Sequence, residues 1–339
     1  MIRPMKGEGL ESPDIVMKKV RVGLYGINGH QIHNQMVKHD KAVVTAISMI
    51  EKDKLPKELL NGDIKFYDDF DSLIKADDVD VVSICAPKRV DQKDMSIKAM
   101  MSKKHVYSEK PCAFTEADLD EILEVSKKTG MLFHEMAGSA FEEPFVSVTE
   151  LIKQGRIGEV VQVFAQKSYP YKTSSGRPQD DITDGGLIRW IAVHATRFVE
   201  HTTGLKITDV YAIETKHGNP VKDGNLKMAA SLMFSLENGA VGSIVSNYLN
   251  QNTFPTWGNE HLRVWGTKGF VEITDGLTKT RLVTEDYDGP VEIKHKTVDY
   301  FDLFLDEILE GKKMPLTLEQ ELHPLRVVIR AQERAVEVK

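Results

Sequence analysis

This sequence predicts an α/β chain of two domains, an N-terminal doubly wound parallel sheet followed by an α/β domain with an open, mainly antiparallel sheet. Three observations carry the prediction. Short apolar runs alternate with helical stretches from residue 19 to about 135, and hairpin signals join strand-like runs beyond residue 160. The 339-residue length also exceeds what one hydrophobic core usually organises.

In the first half, residues 20–25, 43–49, 79–85, 105–107 and 131–133 read as strands. The near-continuous apolar run 43–49 suits a sheet covered on both faces. Helices are expected after the first strand through Met36 and Val37, at 92–102, and from a Thr115 cap reinforced by Asp118 to a stop at Gly130. In the second half, a helix at 148–153 ends at Gly155. Strands are expected at 160–166, 210–214, 228–236, 240–248, 262–265, 270–273 and 280–284. The linkers Glu237-Asn238-Gly239 and Gly266-Thr267-Lys268-Gly269 are hairpin signals. A helix over 184–203 interrupts the strands, and helices at 300–309 and 318–336 close the chain. Residues 1–17 read as a loose extension, 18–136 as one domain and 137–317 as a second. The closing helix, 318–339, is expected to pack back on the first.

Composition removes several function classes. Apolar residues make up 41% and charged residues 28%, with a net charge of −7 and no long basic cluster, so nucleic acid is not an expected partner. No apolar run reaches membrane-spanning length, and residues 1–16 lack the apolar core of a signal peptide. Cys85 and Cys112 suit a reduced, cytoplasmic setting better than a disulfide. No ligand cluster has metal spacing, since His134-Glu135 lacks a second histidine.

Chemistry enters at the first strand–helix turn, Gly26-Ile27-Asn28-Gly29-His30. A dinucleotide needs a tight turn here, so that backbone N–H groups and a helix N-terminus face its pyrophosphate, as in a Rossmann fold. Gly26 supplies the turn. Asn28 stands at the second glycine position and Gln31 near the third, so the fingerprint is incomplete. Glu51 lies near the spacing expected for a ribose ligand, but residues 48–50 carry no carboxylate, which leaves NAD and NADP both open.

The segment His105-Val106-Tyr107-Ser108-Glu109-Lys110-Pro111 is more specific. Together with Ala86-Pro87, Gly155-Arg156-Ile157-Gly158-Glu159, the Gly185-Gly186 … His194 helix and Pro324-Leu325-Arg326, it resembles the Gfo/Idh/MocA family of glucose–fructose oxidoreductase, inositol dehydrogenase and their relatives. The resemblance implies an NAD(P)-dependent oxidoreductase acting on a secondary alcohol of a sugar, cyclitol or polyol. It implies that Lys110 sits beside the nicotinamide, that His194 is the catalytic histidine, and that the open sheet joins subunits into a dimer or tetramer. Ala86, Pro87 and Glu109 join the turn in the expected cofactor site. Imidazole titrates near neutrality and suits a proton acceptor, while a lysine ammonium steadies an alkoxide.

The sequence departs from its relatives around that histidine. Where many carry aspartates, it has Trp190 and Arg197, and helical spacing places Trp190, Arg197 and His201 beside His194. A neutral His194 at pH 7 is therefore expected, since a nearby arginine disfavours imidazolium. Asp180, Asp181 or Asp184 is a candidate carboxylate from the loop, and Trp190 and Tyr169 are candidate substrate contacts. Gly138-Ser139-Ala140-Phe141 replaces the family's Asn-Arg-Arg-Phe. Three functions stay open: a polyol dehydrogenase, an enzyme that keeps NAD bound and cleaves or epimerises glycosides by transient oxidation, and a catalytically silent NAD(H)-binding protein.

Overall fold

The computed structural model describes residues 19–136, 138–171 and 176–338, so the N-terminal extension lies outside the described residues. Six parallel strands form the first sheet: β1 (Val20–Tyr25), β2 (Ala42–Ser48), β3 (Lys65–Tyr67), β4 (Val81–Ile84), β5 (His105–Ser108) and β6 (Phe133–Glu135). Their order is β3-β2-β1-β4-β5-β6, so the sheet is wound outward in both directions from β1 and β4. Every residue of β4 is buried, which explains its unbroken apolar run.

Helices Phe70–Ile74, Gln92–Met101 and Glu116–Thr129 follow strands β3, β4 and β5. Thr115 and Asp118 form the expected capping box, and Gly130 ends the last of these helices at φ 70°. The crossover after β1 is different. No helix runs through Met36 and Val37; a single 3₁₀ turn, Ile32–Asn34, takes its place. The apolar face this leaves is covered by helix Tyr300–Glu310, whose Phe301, Phe304 and Leu305 cluster with Val22, Leu24, Ile47 and Ile32.

The second sheet contains β7 (Val160–Pro170), β8 (Ile207–Thr215), β9 (Ala229–Leu236), β10 (Val241–Asn250), β11 (Asn259–Gly266), β12 (Gly269–Thr274), β13 (Lys279–Thr284), β14 (Asp288–Gly289) and β15 (Val336–Val338). Its order is β14-β13-β12-β11-β7-β10-β9-β8-β15. The pairs β7–β10 and β8–β15 are parallel and the other pairs antiparallel. One face packs on helices Phe145–Lys153, Val193–Thr203 and Leu318–Glu333, while the other exposes Tyr211, Met233 and Val241.

Two further helices differ from the sequence reading. The stretch expected as one helix over 184–203 is broken, because Gly185 and Gly186 take φ of 100° and 76°. A short helix, Asp181–Asp184, precedes them; a π-helical turn, Ile188–Ala192, follows and leads into Val193–Thr203. The closing helix stops at Glu333, and its tail becomes β15. That helix touches both halves, with His323 Nδ1 2.8 Å from Glu200 Oε1 in the second. Arg326 and Arg330 pair with Glu116, and Glu321 accepts the Glu135 N–H at 2.7 Å.

Candidate active site

The carboxyl ends of β1, β4 and β5 converge, and two buried glutamines hold them together. Gln92 accepts the Ala86 N–H at 2.8 Å and donates to the carbonyls of Ile84 and Glu109 at 3.1 and 2.9 Å. It thereby fixes Ala86-Pro87 against Glu109-Lys110. Gln31 donates to the Gly26 carbonyl at 2.9 Å and accepts the Ile32 N–H at 3.0 Å and the Ser83 hydroxyl at 2.6 Å. A polar plug thus fills the position where a third glycine would let helix and strand approach. Neither role was legible in the sequence, where Gln31 stands out only for its place near the third glycine position and Gln92 only opens a helix.

The turn itself has the expected backbone. Gly26 and Gly29 take φ of 66° and 114°, and a Cβ at Gly26 would collide with the Cys85 carbonyl. Ile27 is exposed. Asn28 donates through Nδ2 to the carbonyls of Pro87 and Thr183, both at 3.1 Å, tying the turn to the loop before Gly185. The His30 N–H and ring both face Glu109, with Nδ1 3.0 Å from Oε2. Arg89, fully buried, donates to the Asn28 carbonyl. Burial opposes ionisation of Glu109, but His30, Arg89 and Lys110 outweigh it and hold the carboxyl down at about 2. The turn therefore grips an anion supplied by the chain itself. That carboxylate shows that the His30 end of the turn accommodates an anionic group. Glu51 is exposed, at the start of the 3₁₀ turn Lys52–Lys54 that follows β2.

Lys110 is wholly buried rather than presented at a strand end. Its Nζ donates to the Trp190 carbonyl at 2.8 Å and lies 3.4 Å from the centroid of the Trp190 ring. Burial pushes its pKa well down against the pull of Glu109, and Arg89, Arg197 and Lys167 push the same way. The indole also lies 4.8 Å from the Arg89 guanidinium carbon and stacks on His30 at 6.5 Å between centroids.

His194 sits on the first turn of Val193–Thr203, and its Nε2 is 3.3 Å from the Tyr169 hydroxyl. Burial pushes its pKa well below the usual value, and the charges of Lys110, Lys167 and Arg197 add to the effect. The expected neutral imidazole follows, though burial is the larger cause. The expected stripe is rearranged. Trp190 turns to Lys110, Arg197 pairs with buried Glu135, and His201 faces the Gln320 carbonyl at 3.1 Å. The π-helical turn Ile188–Ala192 takes Trp190 off the α spacing to His194, whereas Arg197 and His201 share the regular helix Val193–Thr203 with it.

No loop aspartate is the ring partner of His194. Asp180 caps its helix, Asp181 lies 3.6 Å from Arg189, and Asp184 accepts the Gly186 N–H at 3.1 Å. Cys85 and Cys112 are buried free thiols that burial pushes up, which unsuits them as nucleophiles. Among the described residues, no group of three His, Cys, Asp or Glu could hold a metal, and no helix is long and apolar enough to cross a membrane.

Two cavities flank this centre. One of about 440 Å³ is lined by His194, Lys167, Glu142, Gly138 and Tyr300. The other, about 450 Å³, is lined by Ile27 to His30, Arg177, Asp184, Trp190 and Trp257. His30 and Tyr169 line both.

The parallel sheet with an anion-gripping turn, joined to an open mixed sheet, defines an NAD(P)-dependent oxidoreductase. Residues 18–136 match the model of the oxidoreductase family with an NAD-binding Rossmann fold, and 145–272 match the GFO/IDH/MocA C-terminal domain. The chain belongs to the Gfo/Idh/MocA family. It is 26% identical over 283 residues to myo-inositol 2-dehydrogenase from Thermotoga maritima, covering 80% of this chain and 79% of that one. A solved structure from the same organism superimposes with a TM-score of 0.84 at 26% identity, covering 93% of this chain and 97% of its own. The 3-ketoreductase KijD10 from Actinomadura kijaniata, in complex with NADP, shares the fold with a TM-score of 0.80 at 17% identity, covering 95% and 99%.

Proposed function

We propose that the chain oxidises a secondary alcohol of a sugar, cyclitol or polyol, with His194 as proton acceptor and Lys110 as the group that steadies the alkoxide. One observation carries this reading. Lys110 from the first sheet bonds to the backbone of Trp190, one turn ahead of His194 in the second half of the chain. The lysine and histidine implied by the family motifs thus share one buried locality, with Lys110 the strongest charge acting on His194.

Bound NAD or NADP supplies the hydride acceptor. Ile27 to His30 and Arg89 would hold its pyrophosphate, beside the His30 N–H that the Glu109 carboxylate now accepts. A proton leaving the substrate reaches His194 Nε2 directly or through the Tyr169 hydroxyl beside it. With no carboxylate to stabilise imidazolium, the histidine passes that proton on readily, and oxidation is favoured at alkaline pH. The exposed apolar face of the second sheet, with Tyr211 and Met233, suits a homo-oligomer.

Absorbance of reduced cofactor over a panel of sugars and cyclitols tests the reading, with His194→Ala and Lys110→Ala beside the parent. Loss of turnover by about 10²-fold or more is expected in each variant. Undiminished rates in both refute the roles. Glu109 in the cradle and Trp190 over Lys110 also favour a second reading, a silent NAD(H)-binding protein. It predicts NADH binding without turnover on any member of the panel.

A further inference from the structure

Four ionisable groups that the reaction above does not use form one continuous line. His134 on β6 is buried between two carboxylates, with Nδ1 2.7 Å from Glu321 Oε2 and Nε2 2.9 Å from Glu307 Oε2. The Tyr300 hydroxyl donates to the same Glu321 oxygen and lies 3.4 Å from His134 Nδ1. Stability alone does not call for such a cluster, because apolar side chains of similar volume commonly serve as well.

The two ends of the line differ. Tyr300 lines the 440 Å³ cavity together with His194 and Arg197. Glu307, about two turns further along the same helix, keeps 22% of its side chain exposed. The links between them are fixed by other contacts. Glu321 Oε1 accepts the Glu135 N–H at 2.7 Å, and the Phe304 ring packs on His134 with centroids 5.0 Å apart. The helix Tyr300–Glu310, which covers the first sheet where a regular crossover would lie, thus brings a phenol to the cavity wall and a carboxylate to the surface.

Resting on the oxidoreductase reading above, we propose that Tyr300, Glu321, His134 and Glu307 form the path by which the proton taken up by His194 leaves the filled active site for solvent. Each transfer balances. His134 releases its Nε2 proton to Glu307, which passes it to water, and the ring turns to offer the bare nitrogen to Glu321. His194 gives its proton, by way of water in the cavity, to the Tyr300 oxygen while the phenolic proton moves to Glu321. Glu321 then reprotonates His134. One proton enters, one leaves, and every group ends as it began. The direction is favourable, because Glu321 and Glu307 hold His134 up at about 9 while burial and Lys110 push His194 well down.

The test follows single turnovers of the full chain with NAD or NADP on whichever member of the sugar and cyclitol panel, myo-inositol among them, the parent oxidises. Absorbance of reduced cofactor and a pH-indicator dye in weak buffer are recorded together. In the parent, proton release should keep pace with cofactor reduction. In His134→Gln and Glu307→Gln, whose amides keep hydrogen bonds but carry no proton, release should lag about tenfold behind reduction. The double variant should lag no further than either single one, because the links act in series. Thermal melts confirm folding, and Glu307→Gln at the exposed end spares the core. Release that keeps pace in both variants, or two signals slowed equally, overturns the path and leaves these groups a structural role, while the oxidoreductase reading stands. A longer lag in the double variant overturns it too. No reduced cofactor from the parent on any member of the panel sinks that reading and the path with it.

Discussion

The Trp190 ring lies across the Lys110 ammonium, 3.4 Å from Nζ to ring centroid, while the Trp190 carbonyl accepts a hydrogen bond from the same nitrogen. A desolvated cation–π contact is worth about 2 kcal/mol, and a hydrogen bond to a charged group about as much, so the pair is well anchored. Any ring that docks on Lys110 must displace or stack on this indole. NADH is therefore expected to quench tryptophan emission, and Trp190→Phe to abolish most of the quench. An unchanged quench in the variant refutes the placement.

Glu109 neutralises two buried cations, Arg89 and Lys110, as well as facing His30. Glu109→Gln should lower unfolding free energy by about 3–5 kcal/mol, because it leaves those cations without a countercharge. The same variant removes the negative charge that the turn now faces, and NADH affinity per folded molecule should rise. Denaturant melts and a fluorescence titration read the two effects separately.

The Gln92 carboxamide serves β4 and β5 at once. Gln92→Leu strips partners from Ala86, Ile84 and Glu109 and should cost on the order of 3 kcal/mol. Since it releases the strand ends that aim Lys110, turnover should fall further than the folded fraction does. Equal losses would confine Gln92 to stability.

Three histidines, His134 buried and His194 and His201 half-buried, set opposite pH limits on stability. Burial alone would lower His134, but Glu321 and Glu307 raise it to about 9. Its contribution is complete below the unfolded value near 6.5 and is lost as pH rises through about 9. His201 is lowered to about 4 by burial and Arg197, and His194 is lowered too. Their folded neutral forms are penalised as pH falls from about 6.5 toward 4, where the unfolded chain binds more protons. The melting temperature should fall on both sides of neutrality. His134→Gln should flatten the alkaline flank and His201→Gln the acid one; melts across pH 4–10 decide.

Much of the architecture was legible because it rests on local signals. The buried apolar run of β4, the Thr115–Asp118 box and the hairpin linkers each specify an element without distant help. The first crossover was not, because Gln31 and the remote helix Tyr300–Glu310 replace it through contacts that sequence spacing does not encode. Lys110 and His194 were named from motif, and their shared locality came only with coordinates. Of the neighbours expected for His194, Arg197 lines the same cavity and acts on its charge, while Trp190 was misplaced because one π-helical turn shifts the register that regular spacing assumes. Arg89 and Gln92 carried no local pattern to reveal that they would be buried.

The 3₁₀ turn after β1 changes how an anion is held in this chain. A full helix would lend its N-terminus about half a positive charge spread over several amides, none of them removable by a single substitution. Here that diffuse contribution shrinks, and one side chain, Arg89, stands beneath the turn instead. Attraction that is ordinarily a property of the backbone has become the property of a codon, open to loss or retuning in one mutational step.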